Sequence, residues 1–329
     1  MLAFKERMNA GQTLSWGLCN SSSPSILETI HIMRTYHHFR ASALWIIMLS
    51  SLPAASTINS TNKNAYSANA GWLNFRHDQP SSPSGIVFGD YFLSGFAYGA
   101  NIGYINLGDG TPANLIQYQN NSATDCGVNH DGLGNLSGYA YAANVGWINF
   151  GWATLSDVNR PRVNLLTGAF SGYAYGANIG WIHLGAGYLV TDTMTFTDTD
   201  GDGMADAWEL IYFGNLTTAT ATSDFDHDGA TDQIEYLSGT TPNDINDYFR
   251  IISSTYNGGY TLATVVFTTQ ATRLYRLETS DALGTTPDVW ADSSLGTFAP
   301  DAGSSTSKII SWPGTSKKFI RAAAVMPLQ

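Results

Sequence analysis

A motif of up to sixteen residues occurs four times in the first half of the chain, at 65–75, 93–108, 136–151 and 170–185. The fourth copy reads FSGYAYGANIGWIHLG, and the others differ from it by small changes. The first copy is partial, as the end cap of a repeat array would be. Successive copies are 32, 43 and 34 residues apart, the range of repeats that stack or form blades, when measured at the shared Asn69, Asn101, Asn144 and Asn178.

Each copy has the composition of a β-hairpin. Tyr-Ala-Tyr and Gly-Trp-Ile are rich in strand formers, and Gly-Ala-Asn between them favours a turn. A third strand is expected before the hairpin, because residues 162–172 hold a strand pattern and a Thr-Gly turn. The unit is therefore a small β-meander that needs neighbours to cover it. Propeller-like, sandwich and solenoid packings all remain open.

Large aromatic residues recur at the same two places in the copies. They could form a ladder of platforms for sugar rings, or they could fill the interior of the repeats. Interior packing is the favoured interpretation, because aromatic side chains bury the largest areas in a repeat protein. The aromatic residues concerned are Tyr98, Tyr104, Tyr141, Trp147, Tyr175 and Trp181.

Two twelve-residue segments, 198–209 and 224–235, carry oxygen-bearing side chains at the positions that a calcium loop requires. A glycine stands at the sixth position of each, where the backbone turns sharply. A main-chain carbonyl is expected at the seventh position and a bidentate glutamate at the twelfth. The predicted ligands for two Ca²⁺ ions are Asp198, Asp200, Asp202, Met204, Asp206 and Glu209 in the first loop, and Asp224, Asp226, Asp228, Ala230, Asp232 and Glu235 in the second.

These loops resemble the EF-hand loop, and their setting is more similar to dockerin or thrombospondin type 3 calcium repeats. Residues 187–197 form an alternating stretch that is rich in β-branched residues and has no helical period, so the helix that precedes the loop of a true EF-hand is expected to be missing. A helix is expected after each loop, ending at Gly214 and at Gly239. The unit is thus a loop followed by a helix, twice.

From residue 248 onward the sequence changes to five or more short alternating strands, which predicts a β-sandwich. Segments 274–280 and 318–321 resemble a small exported β-domain that often follows Asp/Gly calcium loops in Verrucomicrobia-like proteins. The repeats are similar to glycine- and tryptophan-bearing repeats of exported proteins from environmental bacteria, a resemblance that implies no known activity. The expected fold class is mostly β, with a β-repeat (meander) domain, a calcium loop-helix pair and a C-terminal β-sandwich.

A short cationic stretch, an apolar run at 41–52 and Pro-Ala-Ala-Ser in succession predict a secretory signal peptide. The expected organisation is a non-native extension at 1–32, a signal peptide at 33–55, the repeats at 56–190, the calcium pair at 191–247 and the sandwich at 248–329. Without residues 1–55, eleven basic and 24 acidic residues remain, a net charge of about −13. Such a charge disfavours nucleic acid, and no later segment is apolar enough to span a membrane.

The sequence contains no catalytic constellation. Only three glutamates follow residue 55, Glu209, Glu235 and Glu278, and two of them belong to the calcium loops. A carboxylate pair of the kind that glycosidases use is therefore not evident, nor is an HExxH or GxSxG motif. We expect a non-enzymatic structural or adhesion protein, extracellular or at the cell surface. Its expected partners are calcium and a surface protein or an extracellular polysaccharide, the polysaccharide-binding module being the alternative function.

Overall fold

The computed structural model describes residues 55–77, 85–186, 188–259, 261–281, 289–311 and 318–329. The predicted N-terminal extension and the predicted signal peptide, apart from its last residue, lie outside the described residues. In the described part of the chain the secondary structure is mostly strand, with two short helices. This confirms the predicted fold class.

Thirteen strands precede the helices. They are β1 (Ile58–Ser67), β2 (Gly71–Asn74), β3 (Val87–Phe88), β4 (Leu93–Gly99), β5 (Gly103–Gly108), β6 (Val128–His130), β7 (Leu136–Ala142), β8 (Gly146–Asn149), β9 (Arg162–Val163), β10 (Phe170–Ser171), β11 (Tyr173–Gly176), β12 (Gly180–His183) and β13 (Leu189–Thr191).

Eight of these strands form a closed antiparallel barrel. Each repeat contributes one hairpin, and the strand order is β12-β11-β8-β7-β5-β4-β2-β1. The ring closes where β1 pairs with β12, with Tyr66 opposite His183. The four copies therefore surround one axis, and the barrel is a packing other than the three left open from the sequence. The first copy is not an end cap, because it contacts the fourth.

Small and branched aliphatic side chains fill the barrel. In the third hairpin Ala140 lies opposite Ile148, and the exposed fraction of each is 1% or less. The other three hairpins place an alanine opposite a leucine or an isoleucine in the same way. Strand side chains alternate between faces, so the neighbouring Tyr and Trp point outward. Trp147 is 49% exposed. The expectation that the repeat aromatics form the core is therefore wrong.

Short strands confirm the predicted third strand of the repeats. β3 pairs with β4, β6 pairs with β7, and β9 pairs with β10. They add a small layer beside the barrel, where Phe88, Val128 and Phe170 belong to the same buried cluster as the barrel interior. The full repeats are thus β-meanders, as expected.

Two helices follow the barrel, α1 (Asp206–Tyr212) and α2 (Asp232–Ser238). Each begins inside one of the predicted calcium loops and ends next to a glycine in the left-handed region, Gly214 at φ +72° and Gly239 at φ +74°. Before the first loop the chain forms β13 instead of a helix. Both findings agree with the sequence prediction.

The C-terminal part contains the strands β14 (Ile251–Tyr256), β15 (Leu262–Thr268), β16 (Leu274–Ser280), β17 (Ala291–Asp292), β18 (Ser305–Ser311) and β19 (Phe319–Val325). They form a sandwich of two three-stranded antiparallel sheets, β14-β15-β18 and β17-β16-β19. Val265 and Phe267 of the first sheet share a buried cluster with Tyr275 and Leu277 of the second, which confirms the predicted sandwich.

The loop-helix pair packs against the C-terminal sandwich. Met326, which follows β19, belongs to the buried cluster of Trp208 in α1 and Tyr236 in α2. Arg273, just before β16, donates hydrogen bonds from Nε to the oxygen of Leu237 and from Nη2 to the oxygen of Tyr236, at 2.9 and 3.1 Å. The pair is therefore anchored to the sandwich through its second helix.

Candidate metal centre

In the first loop, the carboxylate of Asp198 organises the backbone. Its Oδ1 accepts a hydrogen bond from the main-chain amide of Gly201 at 2.7 Å, and its Oδ2 accepts one from Gly203 at 3.1 Å. Gly201 adopts φ +78°, in the left-handed region that glycine tolerates. The chain thus curls around this aspartate with its other acidic side chains turned inward.

The second loop repeats this geometry. Asp224 Oδ1 accepts from the amide of His227 at 2.8 Å, and Oδ2 accepts from Gly229 at 3.1 Å. His227 stands where the first loop has Gly201 and adopts φ +65°, although it is not a glycine. Such a conformation is uncommon for a residue with a side chain, so the hydrogen bonds of Asp224 hold it in place.

Three aspartates converge in each loop. One carboxylate oxygen from each of Asp198, Asp200 and Asp202 lies within 4.8 Å of the others, and the same holds for the triad Asp224, Asp226 and Asp228. Carboxylate oxygens at such separations repel one another unless a cation lies between them. The two triads can therefore each hold a metal ion, as the sequence predicted for these six residues.

The twelfth-position glutamates are not among the side chains whose oxygens converge within 4.8 Å, but they are buried in the same loops. Glu209 and Glu235 are fully buried. Among the described residues, no hydrogen-bond partner is found for either carboxylate oxygen of Glu209 or for Oε2 of Glu235. Oδ2 of Asp202, Asp226 and Asp228 is likewise buried and unpaired within that part of the chain. Buried oxygens without donors cost free energy, and a hard cation that takes six to eight oxygen ligands would satisfy them.

The electrostatics of the loops point the same way. Burial, with the charges of Asp202 and Asp200 next in size, raises the pKa of Glu209 to about 7. Burial, followed by the charges of Asp228 and Asp226, raises the pKa of Glu235 to about 8. Each glutamate is therefore close enough to its triad to feel the triad's charge. A divalent cation would reverse this effect and favour the ionised carboxylates.

The ninth-position aspartates make hydrogen bonds within their own loops. Asp206 accepts hydrogen bonds from the main-chain amide and the hydroxyl of Thr199, at 2.7 and 2.5 Å. Asp232 accepts from the Ser223 hydroxyl at 2.5 Å and from the Phe225 amide at 3.1 Å. Both carboxylates tie the start of a loop to the start of its helix and lie outside the triads, and their role as calcium ligands stays a prediction.

The seventh-position residues are buried and held by the triads. The amide of Met204 donates to Asp202 Oδ1 at 2.9 Å, and the amide of Ala230 donates to Asp228 Oδ1 at 2.7 Å. These bonds fix the two residues whose carbonyl oxygens the sequence assigned to the ions.

One contact that could not be predicted from the sequence links the two loops. Gln233, in the first turn of α2, donates from Nε2 to the main-chain oxygen of Asp202 at 3.0 Å. Met204 from the first loop and Tyr236 from the second helix share a buried cluster with Trp208. The two loops thus belong to one small unit.

The second set of predicted site residues, the repeat aromatics, lies on the outer face of the barrel. In each hairpin the two rings stand directly opposite each other, as Tyr141 and Trp147 do with centroids 4.9 Å apart. The other hairpins pair Tyr66 with Trp72, Tyr98 with Tyr104 and Tyr175 with Trp181. Tyr66 and Trp72 of the partial first copy were missed, although the alignment of the four copies contained the signal.

No protein-family model matches the chain, and neither a curated protein nor a solved structure matches it significantly. Within the described ranges, none of the helices has both the length and the apolar character needed to cross a membrane.

Proposed function

We propose that this is an exported structural or adhesion protein of the cell surface, with no enzymatic role, in which two Ca²⁺ ions rigidify the link between two β-domains. The proposal is carried by the buried carboxylate oxygens of Glu209, Glu235, Asp202, Asp226 and Asp228 that have no hydrogen-bond partner among the described residues, next to the two converging aspartate triads. Hard oxygen ligands in alternating positions suit calcium better than softer metals. The dockerin or thrombospondin type 3 resemblance of the loops, with a β-domain after them, supports the same architecture.

The position of the loops makes a rigidifying role reasonable. They lie in the chain between the barrel and the sandwich, the second helix accepts hydrogen bonds from Arg273, and both helices share a buried cluster with Met326. Without an ion, the acidic groups repel and the loops open. With an ion they close on one centre. Affinities of about 10⁻⁴ to 10⁻³ M, typical of extracellular calcium modules, would be sufficient outside a cell.

Hydrogen–deuterium exchange with and without calcium tests this role. We expect peptides that cover 196–240 to be strongly protected in 10 mM calcium and to exchange rapidly in chelator, while peptides from the barrel at 136–149 change little. Equal exchange of 196–240 in both conditions would refute a rigidifying role.

A second candidate function is polysaccharide binding by the outer face of the barrel. It is favoured by the exposure of the aromatic pairs, with Trp72, Trp147 and Trp181 each about half exposed at 54, 49 and 48%. Exposed aromatic faces suit the apolar faces of sugar rings. Binding of a neutral oligosaccharide to the barrel face, measured by titration calorimetry, tests this candidate.

A further inference from the structure

We propose that a cleft beside Trp147 is the sugar-binding site of the barrel and that it takes a neutral pyranose unit of a glycan. The inference rests on the second candidate function and is independent of the calcium loops. It follows from a break in the fourfold repetition of the barrel, which is otherwise regular.

In three of the four hairpins the ring on the second strand contacts an aromatic residue from elsewhere in the chain. Trp72 meets Tyr188 with centroids 5.8 Å apart, Tyr104 meets His77 at 5.8 Å, and Trp181 meets Trp152 at 4.7 Å. In each case the contacting residue comes shortly after a neighbouring hairpin ends. These contacts leave Trp72 and Trp181 about half exposed.

The third hairpin lacks such a contact. Among the described residues, Trp147 contacts only rings of its own hairpin, Tyr139 at 6.2 Å and Tyr141 at 4.9 Å. After β5, where the preceding hairpin ends, the chain forms a long loop up to β6. This insertion accounts for the repeat spacing of 43 residues against 32 and 34 elsewhere.

The inserted loop builds the wall of a cleft of about 410 Å³. Its residues 120–123 and 126 face Tyr139 and Trp147, which form the barrel side. Tyr139 is 39% exposed and Trp147 is 49% exposed. A volume of this size lies within the range of small-molecule sites.

The loop is held in a defined shape. Asp125 is buried and accepts the amides of Ala113 and Gln119 at 3.3 and 3.2 Å. Asn120 adopts φ +55°, and its Oδ1 accepts from the amide of Gly127 and the thiol of Cys126, each at 3.1 Å. The wall of the cleft is therefore preorganised, which lowers the entropic cost of binding.

The chemistry of the lining selects the ligand. No charged residue lines the cleft, so an ionic ligand would lose its hydration without gaining a partner. Exposed Asn121 has no hydrogen-bond partner for its amide among the described residues, and Ser122 contributes a hydroxyl. One amide offers both a donor and an acceptor, as adjacent sugar hydroxyls require, while Trp147 offers an apolar face. A neutral pyranose matches all three features.

Titration calorimetry with cellotetraose, xylotetraose, mannotetraose and chitotetraose tests the proposal, with tetragalacturonate as the acidic comparison. We expect at least one neutral tetrasaccharide to bind and the acidic one not to bind. Trp147→Ala should raise the Kd by about tenfold or more, as for a buried contact at the centre of a site. Trp181→Ala is the matched control, since its ring is as exposed as that of Trp147 but packs against Trp152 outside the cleft. It should change the Kd less than about twofold.

Cys126 supplies a measurement on the unaltered protein, which does not depend on whether the variants fold. It is a free, half-buried thiol in the cleft wall. Saturating sugar should slow its alkylation by N-ethylmaleimide. If a sugar binds but does not slow the alkylation of Cys126, and Trp147→Ala leaves its Kd unchanged, then the cleft is not the binding site, although the protein still binds glycan. If no neutral sugar binds at about 10 mM, both the cleft and the second candidate function fall.

Discussion

The side-chain Nδ2 of Asn69, in the first repeat, donates a hydrogen bond to the main-chain oxygen of Ile179, in the fourth repeat, at 3.2 Å. The same bond recurs around the barrel, where each shared asparagine donates to the turn of the hairpin before it. Asn101 donates to Ala70, Asn144 to Ile102 and Asn178 to Val145, at 3.0 to 3.1 Å. The repeated asparagine thus connects all four turns, and Asn69 closes the ring.

Replacing Asn69 should therefore loosen the closure of the barrel. Ile179 O also accepts the hydroxyl of Ser67 at 3.2 Å, so Asn69→Ala alone should lower the free energy of unfolding by about 1 kcal/mol. The double change Ser67→Ala with Asn69→Ala leaves the buried carbonyl without these donors and should lower it by ~2–3 kcal/mol. Urea denaturation checks both, with exposed Asn121→Ala as the control. Equal stability of the double variant and the control would contradict the claim that these hydrogen bonds stabilise the closed barrel.

Acid should destabilise the protein through a buried histidine. His130 is fully buried, its Nε2 lies 2.7 Å from the oxygen of Gly89, and its Nδ1 accepts the amide of Gly132 at 3.2 Å. Burial lowers the pKa of His130 from 6.5 to about 4. The folded state thus favours the neutral ring, whose stabilisation is complete above pH 6.5 and is lost as the pH falls through 4. That loss is on the order of 3 kcal/mol.

Comparing stability at pH 7 and pH 4 for the unaltered protein, His130→Gln and His183→Gln isolates this effect. His130→Gln should lose less stability on acidification than the unaltered protein, and His183→Gln, on the barrel, should lose the same amount. The same pH dependence in all three proteins would show that His130 does not titrate as stated.

Arg273 should contribute to the anchoring of the loop-helix pair. Removing its guanidinium leaves the oxygens of Leu237 and Tyr236, at the end of α2, without their donors. Arg273→Gln should therefore lower the free energy of unfolding by about 1–3 kcal/mol. Arg276→Gln is the control, because Arg276 is about half exposed, its ion pair with Glu278 is long at 3.7 Å, and Glu278 keeps its shorter pair with Arg321; such a pair contributes about 0–1 kcal/mol. Thermal melts that shift equally for both variants would argue against the anchor.

Much of this architecture is readable from the sequence because it depends on local patterns. Alternating Tyr-Ala-Tyr and Gly-Trp-Ile specify the hairpins, and the spacing of acids around Gly203 and Gly229 specifies the loops. Closure of the barrel was not predictable in this way. It depends on pairing between β1 and β12, more than 100 residues apart in sequence, and no local pattern records such a contact.

The sidedness of the repeats was misjudged for a related reason. Size alone favours the interior for Trp147, yet a closed eight-stranded barrel has room only for side chains such as Ala140 and Ile148. The hydrogen bonds of Asp206 could not be read from the sequence either, because a carboxylate at the ninth position of a loop can ligate an ion or accept loop donors, and only the structure shows the hydroxyl of Thr199 at 2.5 Å.

The twelfth-position glutamates give the sharpest test of the site by mutation. Glu209→Gln keeps the shape of the side chain and removes its charge, so calcium affinity at the first loop should fall by about tenfold or more. Glu235→Gln should do the same at the second loop. In calcium-free buffer neither change should destabilise the protein, since each removes a buried charge that repels its triad. Asp244→Asn, an acid outside the loops, is the control and should bind calcium normally.

The central claim is that paired acidic loops bind calcium, and titration calorimetry of the chelator-treated protein tests it most directly. We predict two Ca²⁺ ions per chain, together with a rise in melting temperature that corresponds to about 2.7 kcal/mol per site when calcium is at a hundred times the Kd. The double variant Glu209→Gln with Glu235→Gln should lose most of the binding and most of that rise. No heat of binding at millimolar calcium, with the same melting temperature in calcium and in chelator, would contradict the account.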